Sequence, residues 1–464
     1  MPIRSHDHWS GTMTNLVKSK RQWLSLLSII IGAVLFLVGL FADIFPRSDN
    51  SYGIGQLALT GLGAITIVAG VAITKMSTAA LKKCVFCCVG CTLIFFVAEV
   101  MCSIVAYSLT AHYMDSFMIF EESGRTFHLD SVRGYRLTRV PSRFARITKG
   151  TVEYVGAYKG NTQGFPDRDD FSIKTPAHIS KRYIVFGDSF TSAQFIQTNW
   201  PEALEQQFDG RVEFLNFSTD GGGLANWWSN LANVVDRESY DCDGVIFAVY
   251  AGDLKRRFTI IEHRGYDRHM FGRLPTWNPA EFPTSPAEAE IYLRPVRDCF
   301  IVSKEEFSTA LSRKRLARRQ SEPIGLKHLW ITYNSYKSLQ ASWNSLQGRI
   351  ATDRTEARFS EGQRALILDI RERLNARKIH PIVVYISPIE DLLNNFKKSP
   401  PYYEAREFSR VLGARFVDGN EAFAGLSPEV IQKDWLPYDG HWAQRGSDRF
   451  AHFLAALLRK ELGE

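Results

Sequence analysis

Two short clusters, far apart in the chain, have residue types and spacing that could do chemistry. The first is Gly187-Asp188-Ser189-Phe190-Thr191, which follows directly on the apolar run Arg182–Gly187 (RYIVFG). The second is Asp439-Gly440-His441-Trp442, just before the amphipathic stretch 444–462. A serine hydroxyl becomes a nucleophile when a base takes its proton, and the base needs a carboxylate to fix its tautomer and stabilise its cation. Ser189, His441 and Asp439 supply those three roles. A serine at a strand-to-helix turn is exposed at the carboxyl edge of a sheet. Its amide there lies at a helix start, where a developing oxyanion is favoured. The chemistry is acyl transfer through a covalent intermediate, with no metal or organic cofactor required. A Gly-Asp-Ser triplet is frequent by chance, and a lone histidine is more often structural. The weight rests on finding both clusters at opposite ends of one fold, neither of them on an apolar helical face.

The elements that must bring them together are strands alternating with helices. Short apolar runs at 182–187, 212–216 (VEFLN), 244–250 (GVIFAVY), 381–387 (PIVVYIS) and 414–418 (ARFVD) read as strands. The third is apolar throughout, as a strand buried on both faces should be. Helical patterns fall at 361–378, 400–411 and 444–462. This alternation implies an α/β fold with a parallel sheet covered on both faces, and ligands in such sheets sit beyond the carboxyl ends of the strands. Residues 111–180 form a leading segment rich in turn signals. About 255–375 is an insertion within the domain 181–464, aromatic and basic, with the run SRKRLARRQ at 312–320. A solvated helix face accounts for that run, and contact with anionic headgroups or an acidic glycan is its functional alternative.

Ahead of this lie three apolar runs, 23–45, 54–74 and 85–109, each near the ~20 residues that span a bilayer. Positive charge sets their direction. Arg4, Lys18, Lys20 and Arg21 precede the first run, Lys75, Lys82 and Lys83 lie between the second and third, and only Arg47 lies between the first and second. The expected topology is a cytoplasmic tail (1–22), three transmembrane helices (23–110) and a soluble part delivered to the periplasmic or extracytoplasmic side of the plasma membrane. The net charge of +7 thus has a topological explanation, and with no zinc finger or basic helix-turn-helix, nucleic acid is not an expected partner. Glu99 falls inside the third run, where a carboxylate is either paired and structural or functional. Cys84, Cys87, Cys88, Cys91 and Cys102 lie in or beside the same run, and packing explains them better than a metal site does. Cys242 and Cys299 remain as a candidate disulfide.

With those residues in place, the chain resembles the SGNH (GDSL-like) hydrolases over roughly 120–460, the insertion excepted. The resemblance implies a three-layer, flavodoxin-like parallel-sheet domain, with Ser189 as nucleophile, His441 as base and Asp439 as its partner. It implies an oxyanion hole built from the amides of Ser189 and of Gly221 or Gly222, within Asn216-Phe217-Ser218-Thr219-Asp220-Gly221-Gly222. The family's third block reads Gly-Asn-Asp, its Asn side chain being a further donor. Here the place reads Ala251-Gly252-Asp253, so Gly252 stands where that Asn would be. Asp188, Asp253 and Trp442 are accessory candidates. The Asp two residues before His441, followed by Trp442, is similar to the motif of membrane-tethered bacterial polysaccharide O-acetylation proteins. So is Asn161-Thr162-Gln163-Gly164-Phe165-Pro166-Asp167, which as a structural turn would position the sheet edge.

Three readings follow. The first is an esterase acting on acyl groups, acetyl foremost, of an envelope glycan or lipid. The second is an O-acyltransferase dependent on a partner membrane protein for its donor. The third is a non-catalytic glycan-binding or scaffold subunit.

Overall fold

The computed structural model describes residues 22–23, 25–37, 54–110, 116–122, 126–148, 151–264, 268–273, 276–295, 299–313 and 359–463. The chain divides into two compact units, Met1–Leu109 with Gln320–Ile350, and Thr110–Arg319 with Ala351–Glu464.

In the first unit, α1 (Ser25–Leu37) and α2 (Ile54–Lys75) form an antiparallel pair. They cross on glycines, which let the backbones approach closely. A Cβ on Gly63 would meet the Phe36 amide at 2.4 Å, and Ser25 Oγ donates to Gly70 O at 2.7 Å. Helix α3 runs Thr78–Thr110. The loop expected at 75–84 shrinks to Met76 and Ser77, because Ser77 Oγ caps the Ala80 amide and the alanines, leucine and lysines that follow are good helix formers. Among the described residues, one helix, over Thr78–Cys102, is long and apolar enough to cross a membrane, while Ser25–Leu37 and Thr60–Lys75 are shorter apolar helices. The tail to residue 21, the end of the first run and Arg47 lie outside the described residues. Many large apolar side chains point outward here, Phe86 and Ile94 among them, whereas Glu99 is buried.

The second unit begins with strands β1 (Ser116–Glu121), β2 (Phe127–Asp130), β3 (Gly134–Leu137), β4 (Ser142–Thr148) and β5 (Thr151–Tyr158). The turn signals of residues 111–180 therefore separate real strands. These are short, and most of them interleave polar residues with aromatics, β1 (SFMIFE) alone among the five holding an apolar run of four. The strands of the main sheet are β6 (Lys181–Phe186), β7 (Val212–Asn216), β8 (Gly244–Tyr250), β13 (His380–Ile386) and β14 (Arg415–Asp418). Between β8 and β13 come β9 (Thr259–Arg264), β10 (Arg268–Arg273), β11 (Arg294–Pro295) and β12 (Cys299–Val302).

The main sheet has the order β14-β13-β8-β6-β7, every pair parallel. Counted along the chain this is 2-1-3-4-5, the flavodoxin-like winding, whose switch point lies between β6 and β8. Alternate residues serve opposite faces. Ile184, Phe186, Phe247 and Val383 pack against α6 (Leu224–Asn230), α7 (Glu361–Ala376) and α8 (Pro400–Leu412). Tyr183, Val185, Ile246 and Val384 pack against α5 (Trp200–Gln206) and α9 (Gln444–Leu462). The expected α/β fold with a parallel sheet is thus present.

Two of the remaining sheets matter for the site. One has the order β12-β1-β4-β5, and the other pairs β2 with β3. In the first, β4 and β5 pair Arg146 with Tyr154 and then Ile147 with Val152, leaving Glu153 as the extra residue of a bulge. A bulge re-aims the side chains beside it.

Cys242 and Cys299 are both free thiols, so the disulfide considered from sequence is not formed. They sit against different core clusters, Cys242 under the main sheet and Cys299 with the aromatics of β1, β4 and β5. Of the basic run 312–320, residues 314–320 lie outside the described residues.

Candidate active site

Strand β6 ends at Phe186, and the chain turns at Gly187 into the four-residue helix α4 (Ser189–Ser192). Gly187 is required by space. A Cβ there would lie 2.0 Å from Thr191 Oγ1. Its carbonyl accepts from the Thr219 amide at 3.1 Å and from Trp227 Nε1 at 3.2 Å, which pins the turn to the loop after β7. Asp188 caps α4 by accepting from the Phe190 amide at 2.9 Å. The helix is too short for a useful dipole, so any stabilisation of an oxyanion at Ser189 comes from local amides rather than from the helix end expected from sequence.

Ser189 Oγ lies 2.7 Å from His441 Nε2, across 252 residues of chain. Of the expected triad this pair is in hydrogen-bond contact. The third member is close but looser, with His441 Nδ1 3.5 Å from Asp439 Oδ1, beyond ordinary hydrogen-bond length. Nδ1 is buried and makes no hydrogen bond among the described residues. The imidazole is held by packing instead, between the rings of Phe190 and Phe195, each 4.8 Å away centre to centre. Trp442 lies in the core behind it, edge-on to Phe190 and against Phe450, so this accessory candidate supports the site from within.

Asp439 is instead gripped from the outer sheet. Arg146 Nη1 donates to its Oδ1 at 2.6 Å, and Glu153 Oε1 accepts from the amides of Tyr438 and Asp439 at 2.6 and 2.7 Å. Burial alone would raise the Asp439 pKa. His441, Tyr154 and Arg146 outweigh it and hold the carboxyl below its ordinary value. The Tyr154 hydroxyl is pushed above its own range by burial and by Asp439, so it stays a neutral donor.

The loop after β7 carries the two glycines expected to serve the oxyanion. The Gly222 amide donates to Thr219 O at 2.8 Å, so it is spent within the turn. Gly221, at φ 63°, offers the amide that makes no hydrogen bond among the described residues, and its carbonyl accepts from Thr259 Oγ1 at 3.0 Å. Just before it, the Asp220 amide donates to the Tyr135 hydroxyl at 2.7 Å, and the half-buried Asp220 side chain accepts from Ser192 and pairs with Tyr158. Burial raises the Asp220 pKa.

The loop after β8 brings Gly252 and Asp253. Gly252 has φ 92°, and a Cβ there would meet nothing within 4 Å. Backbone conformation rather than lack of room therefore favours glycine at this position. Asp253 is fully buried and accepts from the Tyr250 amide at 2.8 Å. Burial, and Asp188 beside it, push its pKa up. Arg256 joins all three loops through Nη1, which lies 2.9 Å from Asp188 Oδ2, 3.0 Å from Gly222 O and 2.7 Å from Asp253 Oδ1. Asp188 and Asp253 are thus structural counter-charges to one arginine. Burial pulls that guanidinium down, but the two carboxylates hold it above its ordinary range.

Sequence reasoning missed Arg146, Glu153, Tyr154 and Arg256, the residues that hold the loops in place. Arg146 and Asp439 are 293 residues apart, so no local pattern could have paired them. The Asn161–Asp167 stretch is a turn at the sheet edge, in which Asn161 Oδ1 accepts from the Phe165 amide and Asp167 Oδ2 from the Asn216 amide, both at 3.0 Å. No cluster of metal-ligating side chains occurs among the described residues.

No family model and no curated protein matches the chain. Among solved structures it is similar to a catalytic mutant of an acetylxylan esterase from Geobacillus stearothermophilus, at 10% identity and TM-score 0.29, over 62% of this chain and 97% of that one. It is also similar to a lipase/acylhydrolase from Enterococcus faecalis, at 10% identity and TM-score 0.29, over 61% of this chain and 96% of that one. A third is the SGNH-hydrolase family esterase AlinE4, at 15% identity and TM-score 0.27, over 62% of this chain and 99% of that one. The chemistry assigned below rests on the geometry of this site.

Proposed function

We propose that this chain is a membrane-anchored serine ester hydrolase of the SGNH type, acting through an acyl-enzyme on O-acyl groups, acetyl foremost, of a cell-envelope glycan or lipid. The observation that carries the proposal is the 2.7 Å contact between Ser189 Oγ and His441 Nε2 at the switch point of the parallel sheet. Ser189 Oγ attacks the ester carbonyl while its proton passes to His441 Nε2. The tetrahedral oxyanion is received by the amides of Ser189 and Gly221. Collapse expels the alcohol, which takes the proton back from His441, and water then repeats the sequence in reverse to release the acid. Asp439 stabilises the imidazolium through the field of its carboxylate.

The apolar outward faces of α1–α3 and the span-length helix over Thr78–Cys102 support a membrane anchor, and the lysine and arginine distribution around the three apolar runs of the sequence supports an extracytoplasmic catalytic unit. A C-terminal reporter active only in the cytoplasm would overturn that placement.

The direct test is labelling of the full chain by a fluorophosphonate probe. Wild type is expected to label, and Ser189→Ala and His441→Ala are expected not to. Turnover of p-nitrophenyl acetate with and without a sugar acceptor then separates hydrolysis from transfer. Faster turnover with acylated sugar as product points to an O-acyltransferase working with a donor-supplying membrane protein. Gly252, in place of the oxyanion-hole Asn implied by the resemblance, favours a second reading, a non-catalytic glycan-binding subunit. Folded protein that never labels, with a Ser189→Ala strain of full phenotype, would establish it.

A further inference from the structure

The residues around Asp439 go beyond what a serine, histidine and carboxylate need, and they come from another part of the fold. Arg146 on β4 and Glu153 and Tyr154 on β5 converge on the 438–439 segment because the bulge between the two strands sets Glu153 out of register. Glu153 has a side chain only 1% exposed. Its Oε1 takes the two loop amides, and its Oε2 takes Thr148 Oγ1 at 2.9 Å and faces Arg146 Nε at 3.6 Å. The oxygen of Asp439 that Arg146 holds at 2.6 Å is the same Oδ1 that faces His441 Nδ1 at 3.5 Å. A guanidinium is a permanent cation, and a short charge-assisted contact is the stronger claim on a shared oxygen.

We propose that Arg146 and Glu153 are positioning residues for the triad. Glu153 fixes the backbone of the histidine loop, and Arg146 restrains Asp439 and limits how much of its charge reaches His441.

This inference rests on the proposed triad and adds the device that governs it. The charged and titratable groups facing Asp439 are Arg146, Glu153 and Tyr154 from the outer sheet and His441 from its own loop. Those facing His441 are Asp439, the Ser189 hydroxyl and, through its field, Asp220 of the oxyanion loop. Removing the Arg146 charge takes the cation from both Asp439 and Glu153, frees Asp439 to close on Nδ1 and favours the imidazolium. A higher pH is then needed to make the imidazole neutral and able to take the Ser189 proton.

The test uses the full chain in lipid nanodiscs, as wild type, Arg146→Gln and Arg146→Lys. It measures kcat/KM on p-nitrophenyl acetate against pH, alongside the ring-carbon resonance of His441, assigned with His441→Ala. In Arg146→Gln the acid limb of the rate profile and the ring titration are both expected to move to higher pH, by about half a unit or more. Arg146→Lys keeps the charge and is expected to stay close to wild type, and it also covers the case in which the glutamine variant fails to fold. A uniform loss of rate with neither curve displaced, or a displacement to lower pH, would overturn the proposal. If wild type neither hydrolyses nor labels, the catalytic reading fails. The ring titration still decides whether Arg146 controls His441.

Discussion

The turn that carries Ser189 and the loop that carries His441 meet at one hydrogen bond but draw their restraints from different places. The Ser189 turn is built almost wholly from the main sheet and its own loops. Gly187 packs on Thr191, Asp188 caps Phe190, and Thr219 and Trp227 bind the Gly187 carbonyl. The histidine loop is tied locally across its base. There the Leu436 amide donates to His441 O at 2.8 Å, and buried Asp434 is held by Arg445 and Arg449. Its N-terminal side, with Asp439, hangs on Glu153 and Arg146. The Ser189 turn is therefore held by the loops of the main sheet, and the His441 loop by packing between two sheets.

Removing either reacting atom should be equally severe on both sides. Ser189→Ala and His441→Ala are each expected to lower kcat/KM by about 10⁴-fold with unchanged thermal unfolding. A much smaller loss in one would show that its partner acts without it.

The next effect separates the two regions. Gly187→Ala drives a Cβ into Thr191 and is expected to cost about 3 kcal/mol, read as a fall in Tm together with lost probe labelling. Glu153→Ala strips two loop amides and Thr148 of their acceptor. It is expected to cost about 2 kcal/mol and to lower kcat/KM roughly tenfold while labelling persists, slowed. If Glu153→Ala turned over like wild type, the histidine loop would be locally held after all, and the distinction between the regions would fail.

That distinction also explains what could be read from the sequence. The strands of the parallel sheet declare themselves as apolar runs, and β6, β8 and β13 fall within a residue of where those runs place them. Ser189 and His441 are legible because each lies beside a recognisable element, Ser189 just after β6 and His441 just before α9. The outer strands are not, since Ser142–Thr148 mixes Arg143 and Arg146 with Phe144 and Ile147 and resembles any half-exposed segment. The choice between Gly221 and Gly222 was equally hidden. Only the turn itself decides that the Gly222 amide is consumed by Thr219. Arg256 is one of several arginines in its neighbourhood, and nothing but the fold singles it out as the tie between three loops.

The smallest effect concerns two carboxylates, one on each side of His441, that respond to acid in opposite senses. Asp439 has a folded pKa below its unfolded value, near 3.9, so its contribution to stability is present above that pH and is lost as pH falls through the folded value. Asp220 is raised by burial, so its contribution is full below the unfolded value and is lost as pH rises through the folded one. Relative to wild type, the Tm deficit of Asp439→Asn should therefore be largest near neutrality and shrink toward pH 3. That of Asp220→Asn should shrink as pH rises from acid toward neutrality. Deficits running in parallel would mean that the charge of Arg146 and the hydrogen bond from Tyr154 do not offset the burial of Asp439, and that the His441 loop is electrostatically no different from the loop after β7.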